Sequence, residues 1–322
     1  MKMHRREFLI SAAGAVAARA LALNPSHAST TLIDAAAFHA SRKFVQTPFG
    51  KIACVERGSG KAALFLHGFP LNGFQWRGAL DRLSAHRRCI APDFMALGYT
   101  EIADGQSVAP GAQADMIAAV LDALSVRSVD VVANDSGGAV AQLFLTRHPD
   151  RVRTLLLTNC DAEPDSPPPA VLPVIEMGRD GTYADRWLVP WVADKALARS
   201  PKGLGGMVYT DPNHLTDEAI DCYLAPLVSS LRRRAQVNAY AVALAPNPLA
   251  GIEAKLKQIR TPARIVWGTG DTIFSAASPD YLDRTLPNSR GVRRLEGAKL
   301  FFPEEYPDVI AEEAKKLWGV SA

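Results

Sequence analysis

A chain of 322 residues, 48% hydrophobic, with 36 lysines and arginines against 33 acidic residues, can bury a large core and has no charge bias that asks for nucleic acid. Its four cysteines include no Cys-x-x-Cys pair and no histidine at metal-ligand spacing, so neither a disulfide framework nor a metal or cofactor site is indicated.

The first residues stand apart. Arg5-Arg6-Glu7-Phe8-Leu9-Ile10 leads into a weakly apolar run, Ser11 to Ala18, too short to span a bilayer, and Ser26-His27-Ala28 supplies the small residues that a signal peptidase reads. This resembles a twin-arginine export signal over residues 1–28 and implies a periplasmic or exported protein. His4 and Arg19 depart from the usual pattern, and a plain N-terminal tail is the alternative. The leader holds Lys2, Arg5, Arg6 and Arg19 against Glu7, which leaves the remaining 294 residues with 32 basic and 32 acidic side chains. That neutral remainder calls for no membrane or nucleic-acid partner, and Arg232-Arg233-Arg234 reads as a solvated helix face.

Lys43 to Thr47 and Lys51 to Glu56 alternate around Pro48-Phe49-Gly50, as in a hairpin. Ala62 to Leu66 is continuously apolar, the pattern of a strand covered on both faces, and ends in His67-Gly68-Phe69-Pro70. An amphipathic segment, Trp76 to Leu83, precedes a second buried strand at Arg88 to Pro92; a loop, Asp93 to Thr100, and a helix, Ala114 to Leu124, follow. Strand Val129–Val132 meets a helical pattern from Gly137 to His148, and Val152 to Thr158 is the next strand, ending at Asn159-Cys160-Asp161. Cys54, Cys89 and Cys160 sit in these apolar runs and read as buried thiols.

From Pro164 to about Pro248 the strand rhythm stops. Helices are predicted over Tyr183–Ala198, with Trp187 and Trp191, and over Thr216–Arg234, with Thr216 as N-cap. Strands return at Ala263–Trp267 and Val292–Leu295, and Pro307–Trp318 closes as an amphipathic helix. Alternating strands and helices imply a mostly parallel sheet with helices on both faces. The all-helical insert reads as a cap over the carboxyl ends of the strands. The expected division is a core of residues 29–160 and 251–322 with a helical cap at 161–250.

The stretch Val129-Asp-Val-Val-Ala-Asn-Asp-Ser-Gly-Gly138 organises the rest. A strand that turns straight into a helix strains the residue at the apex and admits only small residues two before and two after it. Ala133 and Gly137 meet that need around Asp135, whereas an apex at Ser136 would put Asn134 where only Gly or Ala fits. The pattern resembles the nucleophile elbow of the α/β-hydrolase superfamily, with Asp in place of the commoner Ser. The resemblance covers about Lys43 to Trp318 and is closest to the Asp-nucleophile branch, haloalkane dehalogenases and epoxide hydrolases. It implies an α/β-hydrolase fold and a reaction in which the carboxylate attacks carbon and a histidine then drives water onto the ester.

Carried onto this chain, the resemblance names Asp135 and Asp271 as catalytic residues, Asp271 standing in Trp267-Gly-Thr-Gly-Asp271 where the family's acid sits. Asp161 and Glu163 mark the other position for that acid. The backbone N–H groups of Phe69 and Ser136 are the implied oxyanion donors. His67, Trp187, Trp191 and Leu300 are expected to face substrate, though for His67 a structural role bonding backbone outweighs proton transfer. The family's histidine lies in a Gly-Ala-Gly-His-Phe-like stretch, which reads here Gly297-Ala-Lys-Leu300-Phe301. Leucine cannot move a proton. Epoxide hydrolases use cap tyrosines to protonate the ring oxygen, and Tyr183, Tyr209, Tyr223 and Tyr240 are candidates that sequence does not separate.

Three readings follow. A hydrolase could take its base from elsewhere, His214 being the free candidate in the cap. Asp135 could instead serve as a general base in a lyase, isomerase or cyclase. A binding module that has lost its chemistry is the third, and the elbow and Asp271 argue against it. The family-type hydrolase of a small, largely apolar molecule ranks first.

Overall fold

The computed structural model describes residues 33–320, so the leader expected over residues 1–28 lies outside them. Eight strands form one sheet: β1 (Arg42–Thr47), β2 (Gly50–Arg57), β3 (Ala62–Leu66), β4 (Arg88–Pro92), β5 (Val129–Asp135), β6 (Val152–Cys160), β7 (Ala263–Gly268) and β8 (Ser289–Leu295). Their order is β1-β2-β4-β3-β5-β6-β7-β8, antiparallel at β1/β2 and β2/β4 and parallel elsewhere. This is the α/β-hydrolase fold. Every residue of β3 and β5 is buried, which explains why those strands read as unbroken apolar runs rather than alternating ones. The edge strand β8 is partly exposed and carries Arg290, Arg293 and Arg294, charges that blunt an open edge.

Helices alternate with the parallel strands: α1 (Arg77–Leu83), α2 (Pro110–Ala123) and α3 (Ser136–Arg147) before β6. Between β6 and β7 the described residues hold helices and turns only, among them α4 (Leu172–Arg179), α5 (Asp217–Val228) and α6 (Leu231–Val242). After β7 come α7 (Ser278–Thr285) and α8 (Pro307–Trp318), the latter closed by Gly319 in the left-handed conformation. Cys54, Cys89, Cys160 and Cys222 are buried free thiols.

Two helices expected as single units are broken. The span predicted over Tyr183–Ala198 becomes a π-turn, Ala184–Leu188, and two short helices, Val189–Ala193 and Lys195–Arg199. Pro190 lacks the amide for a continuous ladder, and Asp194 is extended and caps the last piece through the Leu197 amide. Thr216 does cap α5, accepting from the Ala219 amide at 3.2 Å, but that helix stops at Val228. Ser230, with φ −156°, then caps α6.

Arg233 corrects the reading of Arg232-Arg233-Arg234 as a solvated face. Its guanidinium donates to the carbonyls of Gly98 at 2.6 Å and Thr100 at 3.1 Å, tying α6 to the loop after β4. Arg232 and Arg234 pair with Asp104 and Asp185.

A buried ionic cluster fastens the helical segment to the rest. Arg77 of α1 pairs with Glu304 at 2.5 Å, and the Tyr209 hydroxyl donates to the other Glu304 oxygen at 2.7 Å. Burial and the neighbouring Glu304 push the Tyr209 hydroxyl far up, so it stays a donor. The Phe301 amide donates to the Val208 carbonyl at 2.9 Å, and Lys299 Nζ to Gly206 O at 2.7 Å. The loop that follows β8 is thus stitched to the helical segment by both backbone and side chains.

Candidate active site

β5 passes into α3 with no residue between them, and Asp135 takes the turn at φ 55° and ψ −132°. A positive φ at a non-glycine residue is costly, of order 1–3 kcal/mol, and persists only where the surroundings enforce it. The enforcement comes from packing. A Cβ on Gly137 would lie 2.6 Å from the carbonyl oxygens of both Leu66 and His67, so α3 can approach β3 only with glycine there. A Cβ on Gly68 would meet Asp135 Oδ2 at 2.7 Å, so glycine there lets the loop after β3 close over the carboxylate. Ser136 is the first residue of α3 rather than the apex, and its hydroxyl shares a 3.1 Å hydrogen bond with the Tyr240 hydroxyl.

The Phe69 N–H donates to Asp135 Oδ2 at 2.7 Å, and the Ser136 N–H also bonds this carboxylate. The two implied oxyanion donors therefore converge on Asp135 itself. Asp135 is 8% exposed. Burial pushes its carboxyl well above the usual range, the nearby Asp161 adds to that and Asp271 adds less, while the two amides pull the other way.

Above Asp135 lies a cavity of about 110 Å³, lined by Val174, Trp187, Trp191, Leu244, Phe274 and Leu300 together with Tyr183, Asp135, Ser136 and Asp161. A cavity of roughly 150 Å³ is enough for benzene, which sets the scale of an occupant. Phe69 stacks on Tyr240 with centroids 5.0 Å apart and packs against Tyr183 at 5.5 Å, forming an aromatic wall beside the carboxylate. Among the candidate tyrosines, Tyr183 lines this cavity, whereas Tyr209 and Tyr223 sit in the Arg77–Glu304 cluster.

Asp161, the first residue after β6, shares the cavity. The Ser166 hydroxyl donates to its Oδ1 at 2.7 Å. Burial, opposed by that hydroxyl and by its own backbone amide and assisted by Asp165, pushes its carboxyl up to about 6.

Several expected positions lie elsewhere. His67 does not line the cavity: its Nδ1 donates to Gly68 O at 2.9 Å and its Nε2 accepts from the Phe94 amide at 3.0 Å, which uses both nitrogens for backbone. His214 stacks against Tyr209 away from the cavity lining. Glu163 caps the helix at Glu253–Leu256, accepting from the Gly251 and Glu253 amides at 2.5 and 2.7 Å. Asp271 is held by the Asn159 amide group at 2.8 Å and the Ile273 N–H at 2.8 Å and does not line the cavity. No side chain among the described residues is hydrogen-bonded to both Asp135 and Asp271.

Sequence reading missed the buried amides behind the site. Gln75 Nε2 donates to Asn134 Oδ1 at 2.7 Å while its Oε1 accepts from the Gly68 amide at 2.9 Å, so one side chain joins the loop after β3 to the elbow. Asn159 holds Gly268 and Asp271 in the same way from β6. No spacing announces such residues, because Asn134 is 59 positions from Gln75 and Asp271 is 112 from Asn159.

A mostly parallel sheet whose strand-turn-helix elbow presents a carboxylate to a cavity under a helical segment defines an α/β-hydrolase architecture. The model of the alpha/beta hydrolase fold family matches residues 62–306, and the chain belongs to that family.

Among its relatives, a 2-hydroxy-6-oxo-2,4-heptadienoate hydrolase of Pseudomonas putida is 37% identical over 103 residues, 31% of this chain and 37% of that protein. A haloalkane dehalogenase of Agrobacterium fabrum is 35% identical over 122 residues, 36% of this chain and 40% of that protein. These matches span well under half the length of either relative. A haloalkane dehalogenase 2 of Mycobacterium bovis aligns over 283 residues, 84% of this chain and 92% of its own, at 25% identity. The solved epoxide hydrolase CorEH superposes with a TM-score of 0.71 over 86% of this chain and 98% of its own, at 21% identity, a likeness of fold.

Proposed function

We propose that this protein is an enzyme that acts on a small, largely apolar electrophile, with Asp135 as the group that attacks carbon. One observation carries the reading: a carboxylate at the strained apex is held on the Phe69 and Ser136 amides and borders an apolar cavity. Attack by one carboxylate oxygen would leave Oδ2 as the carbonyl oxygen of an alkyl ester, already on the Phe69 N–H. When water adds to that ester the charge develops on Oδ2, where preorganised donors are worth most. Leu300 stands where the family's histidine would supply the base, so the second step needs another group. Trp187, Trp191 and Tyr183 give substrate an aromatic lining. The reaction needs no metal or cofactor, and export through the twin-arginine leader is part of the same proposal.

The test is intact-protein mass spectrometry after exposure to small epoxides and alkyl halides. A mass increment mapped to Asp135 and absent from Asp135→Asn is the expected result. A second reading, Asp135 as general acid or base in a lyase, isomerase or cyclase, is favoured by the raised affinity of its carboxyl for a proton. Failure of every electrophile either to label Asp135 or to be hydrolysed would select it.

A further inference from the structure

We propose that Asp161 is the second catalytic residue of this cavity: it protonates the leaving oxygen of a small strained cyclic ether while Asp135 attacks carbon, then takes a proton from the water that hydrolyses the ester. The proposal rests on Asp135 being the nucleophile.

The placement follows from sheet register. Asp135 pairs with Cys160 across β5 and β6, so Asp161 is one residue beyond the level of the elbow on the neighbouring strand. Parallel strands lie about 4.8 Å apart, which brings the two carboxyls to one end of the sheet and into one cavity. Gln142 Nε2 anchors the Asp161 carbonyl at 2.8 Å from α3, and Ser166 holds Oδ1 from the following turn. Asp161 is 7% exposed and, among the described residues, has no cationic partner. A buried carboxyl with no counter-ion is costly in its charged form, which favours a group that can carry a proton. The groups that face it are Asp135 from β5, Cys160 beside it, Asp165 and Ser166 from the turn, and Tyr240 from α6. Of these only Asp135 shares the cavity lining with Asp161, and Asp165 does not.

Two neighbouring carboxyls release their protons in steps that belong to the pair. With one proton between them, the proposed step draws on the arrangement that leaves Asp135 ionised on its two amides and the proton on Asp161. This distribution also selects the substrate class. A halide is too weak a base to take the Asp161 proton and gains nothing from the acid, whereas the alkoxide of an opening ring ether takes that proton and leaves as a neutral hydroxyl.

The steps balance. An Asp135 oxygen forms a bond to the ring carbon, the C–O bond of the ring breaks with its electron pair on oxygen, and the Asp161 proton moves to that oxygen. Asp161 is now a carboxylate. It takes a proton from water as the water oxygen bonds to the Asp135 carbonyl carbon and charge moves to Oδ2. Collapse expels the second alkoxide, which takes the remaining proton of the added hydroxyl. The diol leaves, Asp135 is again a carboxylate, and Asp161 again carries its proton. The sum is ether plus water to diol, with no other reactant.

The experiment uses propylene oxide and 1,2-epoxybutane, scaled to the small cavity, with diol formation and intact mass followed together. The parent should form diol, with a pH limb near 6 from Asp161. Asp161→Asn should form diol at least about 10²-fold more slowly, lose that limb and keep any adduct it forms on Asp135. Ser166→Ala removes a bond that favours the Asp161 carboxylate and should move the limb to higher pH; it carries the test if Asp161→Asn does not fold. Parent-like turnover by Asp161→Asn, or an unmoved limb in Ser166→Ala, would overturn the role of Asp161 and leave Asp135 standing. A parent that forms neither adduct nor diol with either probe would overturn both.

Discussion

The Leu300 carbonyl oxygen accepts a hydrogen bond from the Asn134 side-chain amide at 3.1 Å. The same NH₂ group reaches Thr158 Oγ1 at 2.9 Å and Asn159 O at 3.2 Å, so the residue before the elbow apex holds the loop after β8 to the end of β6. The backbone of residue 300 is therefore fixed, and its side chain borders the cavity that Asp135 shares.

That relationship makes a rescue possible. In Asp161→Asn, where the ester on Asp135 should persist, adding Leu300→His should clear it at least about 10²-fold faster, since general-base assistance is worth roughly 10²–10⁴-fold. Lys299 is bonded to Gly206 O, so Leu300→His should be introduced both with Lys299 retained and with Lys299→Gly. Loss of the mass increment over time reports the outcome, and an adduct equally long-lived in every variant would show that position 300 does not reach the ester.

The Asp161 carboxyl predicts a pH signature in stability. Its folded pKa of about 6 is above the unfolded value near 3.9, so the folded state binds the proton more tightly. Its contribution is complete below about pH 4 and is lost as pH rises through 6. Urea denaturation should show the parent losing more stability between pH 4 and pH 7 than Asp161→Asn, by an amount on the order of 2–3 kcal/mol. Equal pH slopes for the two proteins would contradict this.

Breaking the Arg77–Glu304 cluster should be strongly destabilising. Glu304→Leu leaves a buried guanidinium without its carboxylate, and removal of one partner of a buried pair typically costs about 3–5 kcal/mol. Arg77→Met combined with Glu304→Leu should recover much of that loss, because both replacements are apolar. The midpoint of chemical unfolding measures both, and a double variant no better than the single one would assign the cost to packing instead.

Export should depend on Arg5 and Arg6. An Arg5→Lys, Arg6→Lys double variant is expected to accumulate in the cytoplasm as the uncleaved chain, visible by fractionation and by N-terminal mass. Normal processing before Ser29 in that variant would remove the twin-arginine assignment.

The elements legible in the sequence are those whose cause is local. β3 and β5 declare themselves by unbroken apolar runs, because a strand covered on both faces needs no polar side. The elbow declares itself because a positive φ at Asp135 requires small neighbours at Ala133 and Gly137, and those are visible in ten consecutive residues. Breaks inside the helical segment are harder to read, since Pro190 and Ser230 compete with an otherwise continuous helical pattern and capping decides the result.

Which distant residues meet is decided only by the tertiary fold. Asp161 faces the cavity because β6 lies beside β5 in a register that puts Cys160 opposite Asp135, whereas Glu163, two residues on, turns away to cap a helix. His67 and Asp271 are the right residue types in the right stretches, yet their polar atoms are taken up by Phe94, Gly68, Asn159 and the Ile273 amide. A chain records residue type and spacing along one dimension. Hydrogen-bond partners are chosen in three, where burial obliges every polar group to find one and the neighbouring strand or loop determines which it finds.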